Sequence, residues 1–175
     1  MLAPDGEDAD PLAALFRAEY RTVTAIARRM VADAAEAEDV AQEVFAECAR
    51  LRDPTAEGVV AWLHATAARR ALNHLRASRR REARERAFAL LTRPLMRSAD
   101  PADASGARER AAAVRRAMAR LRPRDATLLA LRYGADLPYR AIAAAIGVPA
   151  AHVGTLLARA ERALLKEMPD DCDRP

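Results

Sequence analysis

The chain is predicted to be all-α: two small helical domains joined by a flexible linker, the C-terminal one a helix-turn-helix. Three observations carry this. Apolar residues recur at threes and fours along successive stretches, and none alternates with period two as a half-buried strand would. Arg93-Pro94 and then residues 98–106, SADPADASG, break that periodicity with small residues, two prolines and a glycine, the composition of an interdomain linker. Gly147 lies between two apolar-patterned stretches, where a left-handed turn would join two helices. The expected units are residues 10–90 and 107–168, with the linker at 91–106, a disordered 1–9 and an acidic tail at 169–175.

The elements follow in order. Asp10-Pro11 is a helix start, with Asp as N-cap and Pro at the first helical position; Leu12, Leu15, Phe16, Tyr20, Val23, Ala27 and Met30 continue a buried stripe. Asp33 and Glu36 have the spacing of a capping box. The second helix that they open buries Ala37, Val40, Ala41, Val44, Phe45, Cys48 and Leu51, and turns Glu36, Asp39, Glu43 and Glu47 outward. Pro54 stops it. The third helix carries Trp62, Leu63, Thr66, Ala67, Ala71 and Leu75 at helical spacing, then becomes a cationic rod. Beyond the linker, Ala111, Val114, Met118 and Leu121 mark a fourth helix. Pro123 opens a fifth, with Leu128, Leu129, Leu131 and Tyr133 apolar and Gly134 as its end. Pro138 to Ile146 is a short sixth closed by Gly147, and Pro149 opens the seventh, which runs to about Met168.

Charge is segregated along this layout. Residues 1–60 hold 13 acids against 6 arginines, a charge of −7; residues 61–97 carry +8, and residues 98–175 carry +3. Eight arginines lie between Arg69 and Arg86, opposed only by Glu82 and Glu85. A helix with one face in a core and the other loaded with guanidinium forks is suited to lie along a polyanion, since arginine pairs with phosphate oxygens and stacks on bases. Acidic front and basic block imply different partners for different surfaces.

Other classes are disfavoured. Two cysteines make neither a disulfide framework nor a metal quartet, and Cys48 reads as a small core residue. His64 and His74 are ten residues apart on one helix and cannot share an ion, and no glycine-rich phosphate loop or nucleophile with a paired base is present. No catalytic residue, metal site or cofactor is therefore expected. The absence of a signal sequence and of a long apolar run predicts a cytoplasmic chain without a membrane span.

The helix-turn-helix pattern runs from Tyr139 to Leu157. Ala143 is small where two helices must touch, Gly147 takes the turn, and Val153 and Leu156 seat the second helix. Of the groove-facing positions, His152, Thr155, Arg159 and Arg162 can hydrogen-bond, whereas Ala150, Ala151, Gly154 and Ala158 cannot. Bidentate base readout wants Arg, Asn or Gln near the helix start, so this surface either holds phosphates through Arg159 and Arg162 while reading few bases, or is more a packing surface than a DNA reader.

Two motif blocks resemble the extracytoplasmic-function (ECF) group of bacterial sigma factors. DAAEAEDVAQEVFAECARLRD followed by AWLHATAARRALNHLRASRRR is similar to that family's acidic and basic helices, and LRPRDATLLALRYGADLPYRAIAAAIGVPAAHVGTLLARAERAL to its helix-turn-helix. The resemblance covers about residues 10–168. It implies a sigma factor that binds core RNA polymerase and directs promoter recognition and strand opening. Asp39, Gln42, Glu43 and Phe45 would dock on the β′ coiled coil. His64, Arg69, Arg70, Asn73, Arg76, Arg79, Arg80 and Arg81 would engage the minus-ten element. The second unit would sit on the β flap and meet the minus-thirty-five element through His152, Thr155, Arg159 and Arg162. It further implies an anti-sigma partner.

The chain departs from the family pattern at Arg69 and Asn73, where an Asn and an Asp are common, and in residues 152–157, which lack the usual cations. A weak or unusual minus-thirty-five contact anchored by Arg159 is expected. The alternative is a stand-alone helix-turn-helix regulator, which would bind duplex DNA without polymerase.

Overall fold

The computed structural model describes residues 10–51, 53, 56–92 and 106–168. Among them are seven helices and no strand: α1 (Pro11–Arg28), α2 (Ala34–Cys48), α3 (Val59–Thr92), α4 (Gly106–Arg120), α5 (Pro123–Ala135), α6 (Tyr139–Ile146) and α7 (Ala150–Glu167). Helix α3 extends through residue 92 and α4 begins at Gly106, so both ends of the expected linker are helical. Residues 93–105, Pro54, the N-terminal nine and the acidic tail lie outside the described residues.

Local chemistry sets several helix ends. Asp10 Oδ1 accepts from the Leu12 amide at 3.0 Å, with Pro11 at the first helical position, and Asp33 Oδ1 accepts from the Ala35 amide at 3.3 Å. Gly147 closes α6 at φ 67°, and the Val148 amide bonds back to the Ala143 carbonyl at 3.0 Å.

The end of α5 differs from expectation. The helix passes through Gly134 and stops one residue after it, with Asp136 in the left-handed region at φ 48° and Arg132 Nη1 bonded to its carboxylate at 2.9 Å. Gly134 serves a close approach instead. A Cβ there would lie 3.2 Å from the Ala25 carbonyl oxygen and from Ile26 Cα, so the missing side chain lets α5 press against α1.

That approach is part of a seam between the two halves of the chain. Helices α1, α2 and α3 pack on one another, as do α5, α6 and α7; α5 also packs on α1 and α3, and α6 on α3. One apolar core runs through both halves, from Val23, Ile26 and Leu63 to Leu128, Leu131, Ile142 and Val153. Burying such side chains contributes roughly 1.5–3 kcal/mol each, so the seam adds to the stability of both halves. The buried face of α2 is the expected one, Ala37 through Cys48 at helical spacing. On α4 it is rotated: Ala113, Ala117, Met118 and Leu121 are buried, whereas Ala111 and Val114 face solvent. Tyr133, expected among the apolar set, is 51 % exposed and donates its hydroxyl to Glu161 Oε1 at 2.6 Å.

Candidate nucleic-acid interface

Helix α2 presents Asp39, Gln42 and Glu43 to solvent. Phe45 is turned inward at 6 % exposure, with its ring 4.8 Å from that of Phe16 and 6.2 Å from that of Tyr20. The flanking acids bind α3 rather than standing free. Arg70 Nη1 donates to Glu43 at 2.7 Å, and Arg70 also pairs with Glu47. The hydrogen bond to Glu47 raises the guanidinium pKa further, so this cation is fixed. His74 lies 3.6 Å from Glu36 and 3.7 Å from Glu43. Asp39 and Gln42 remain the outward polar groups of this surface.

The candidate residues of α3 divide by environment. Arg69, Asn73, Arg80 and Arg81 are exposed. His64 does not reach the surface: it is 4 % exposed, its Nε2 lies 2.8 Å from Glu19 Oε2, and its Nδ1 is buried without a partner. Arg79 lies 3.3 Å from Glu82. Arg76 is held between the halves, where Nε donates to the Ala119 carbonyl at 3.2 Å and Nη2 to the Leu121 carbonyl at 2.7 Å. These carbonyls end α4, where a cation is favoured by the helix dipole.

A second arginine makes the same kind of bond. Arg29 Nε donates to the Tyr133 carbonyl near the end of α5 at 2.8 Å. Beside α3, a cleft of about 580 Å³ opens between Trp62, Ala65 and Arg69 on one side and Pro123, Arg124 and Ala145 on the other. Sequence reasoning gives Arg29 no role and Trp62 only a core position. A periodic pattern marks which side of a helix is apolar, but not which other helix covers it.

In the second half, α6 and α7 cross at 87°, close to the usual range of a helix-turn-helix. Val153, Leu157 and Ala160 seat α7 on the core, and His152, Thr155, Arg159 and Arg162 all point to solvent. The Arg132 guanidinium lies 5.8 Å from the centre of the Tyr139 ring at the start of α6. Among the described residues, no group of three or more His, Cys, Asp or Glu is placed to hold a metal ion.

The model of Sigma-70 region 2 matches residues 15–81, and that of Sigma-70 region 4 matches residues 111–164. Together they span more than two-thirds of the chain. No curated protein matches it. A solved structure, the sigma factor RpoE in complex with the anti-sigma factor NepR from Bartonella quintana, is 18% identical, with a TM-score of 0.50 over 92% of this chain and 97% of that one, and shares the fold. The α2 and α3 surfaces thus lie within the region 2 match, and the exposed face of α7 within the region 4 match. The chain belongs to the sigma-70 family: it is a sigma factor of transcription initiation, with region 2 in its first half and region 4 in its second.

Proposed function

We propose that this chain is an ECF-group sigma factor that docks on the β′ coiled coil of core RNA polymerase through α2, meets the minus-ten element along α3, and contacts the β flap and the minus-thirty-five element through its second half. The observation that carries this reading is the separation of surfaces: Asp39 and Gln42 face outward on α2, and Arg69, Asn73, Arg80 and Arg81 on α3. An acidic patch suits a protein partner, and a guanidinium row suits phosphate and unpaired bases. His152, Thr155, Arg159 and Arg162 supply the corresponding face on α7.

The second half covers the Trp62 side of α3 and ties up Arg76, so promoter engagement requires the halves to part. The solved relative is bound by an anti-sigma factor, which supports a partner of that kind here. No single helix among the described residues is long and apolar enough to cross a membrane, in keeping with action beside the polymerase in the cytoplasm.

The test is retention of a promoter duplex by the chain with and without core polymerase. Retention that requires polymerase supports the sigma reading. Equal, sequence-specific retention by the chain alone assigns it to the stand-alone regulators.

A further inference from the structure

The recognition helix has too few base-reading groups for its contact with duplex DNA to rest on bases alone. Positions 150, 151, 154 and 158 are Ala, Ala, Gly and Ala. Next to it lies a cleft of about 600 Å³ whose walls come from different parts of the chain. Arg120 and Arg122, at the junction of α4 and α5, form one wall; Arg159, Arg162 and Lys166 of α7 form the other. A smaller hollow of about 370 Å³ continues it past Lys166 to Arg116.

Six cations thus converge on one groove, facing the carboxylates of Asp125 and Glu167. Glu167 lies 3.6 Å from Arg120, and Asp125 is only 6 % exposed. Arg122, Arg159, Arg162 and Lys166 are exposed and make no ion pair among the described residues. Unpaired cations held together in a concavity repel one another, and a bound polyanion relieves that cost.

We infer that this cleft is a binding site for the phosphate backbone of duplex DNA, with Arg120, Arg122 and Lys166 extending the contact of Arg159 and Arg162 beyond the recognition helix. The inference rests on the reading of α7 as the helix that faces the promoter. Duplex DNA fits better than an acidic protein for two reasons. The apolar side chains along the groove are Leu121 and Ala163, with Ala113 and Met168 in the hollow that continues it, and none is an aromatic anchor of the kind that protein interfaces use. The groove also adjoins the exposed face of α7, so a backbone strand flanking the major groove can continue into it. Affinity at this end of the promoter then comes mainly from phosphates.

The experiment measures binding of the full chain to random-sequence duplexes of about 30 base pairs, by fluorescence anisotropy, between roughly 50 and 200 mM salt. The variants are Arg122→Ala with Lys166→Ala, and the charge-keeping pair Arg122→Lys with Lys166→Arg. Removing one cation from a phosphate makes the plot of log affinity against log salt shallower by about 0.9, so the alanine pair is expected to lower the slope by roughly 1.8 on every sequence. The charge-keeping pair retains the slope. Lys166→Glu, at an exposed position, gives a second reading of the same effect should the alanine pair melt at a lower temperature.

An unchanged slope in both the alanine pair and Lys166→Glu overturns the site. A shallower slope confined to one sequence overturns phosphate as its ligand, and an unchanged slope with weakened binding to core polymerase assigns the cleft to an acidic protein surface. Failure of the sigma reading shows separately: the unaltered chain would then give no polymerase-dependent promoter retention, whatever the slopes.

Discussion

Arg76 on α3 and Leu121 just beyond α4 are joined by a 2.7 Å hydrogen bond from guanidinium Nη2 to a backbone carbonyl. The bond crosses 45 residues of sequence and links the region 2 half to the region 4 half. An arginine that charge patterning assigns to nucleic acid is used, in this conformation, to hold the halves together. The proposed minus-ten contact and α4 therefore call on the same guanidinium.

Arg76→Ala is expected to loosen the seam. A hydrogen bond from a charged group is worth roughly 1.5–3 kcal/mol when buried, and for the half-buried Arg76 a loss of about 1–2 kcal/mol in urea unfolding is expected. Trp62, the one tryptophan of the chain, lines the cleft between the halves and reports their separation directly. Its emission should move to the red and its quenching by acrylamide increase. An unchanged Trp62 signal would mean that Arg76 does not hold the seam.

Gly134 and Gly147 should respond to alanine for different reasons. At Gly147 there is open space but φ is 67°, so Gly147→Ala costs about 1–2 kcal/mol through backbone strain alone. At Gly134 the added Cβ meets the α1 backbone at 3.2 Å. The strain of overpacking, about 1–3 kcal/mol, is expected to outweigh the helix-propensity gain of about 1 kcal/mol. Thermal unfolding of both variants checks this; a Gly134→Ala chain more stable than wild type would show that α1 and α5 are free to shift apart.

Cys48 should be inert while the chain is folded. It is fully buried, and burial pushes its thiol pKa up, so little thiolate forms at neutral pH. Iodoacetamide followed by peptide mass mapping should find Cys48 unmodified until denaturant is added. Rapid labelling of the native chain would mean that the α2 core opens readily.

Tyr133 and Glu161 make stability fall at high pH. The hydrogen bond to Glu161, followed by burial, raises the phenol pKa above its usual value near 10. A folded-state pKa that is raised stabilises the fold fully below the unfolded value, and that contribution disappears as pH rises through the folded one. Unfolding of wild type and Tyr133→Phe should therefore differ below about pH 10 and converge above it. A constant difference across that range would leave the bond without a role.

What is legible in the sequence is what short segments decide for themselves. Asp10 and Asp33 cap their helices through residues two positions away, and Gly147 turns the chain locally, so each is readable from its neighbours. The stripe of α2 is readable because one whole face of it is buried. Gly134 reads as a helix end because a glycine near the end of a periodic stretch has that meaning on average; here the packing of α1, about a hundred residues earlier, decides. His64 has the same explanation. Its neighbours mark it as one more polar residue on a basic helix, and only the tertiary approach of Glu19 makes it a core residue.

The most direct test of the central claim is run-off transcription on a promoter library from the cognate genome, using bacterial core polymerase with and without the chain. Initiation is expected only when the chain is present, and is expected to be lost in an Asp39→Arg plus Gln42→Ala variant, which reverses the exposed polar face of α2 without touching the core. Sequencing the start sites would show whether a shared minus-thirty-five element accompanies them. Initiation that is independent of the chain, or that survives the double substitution unchanged, would contradict the account.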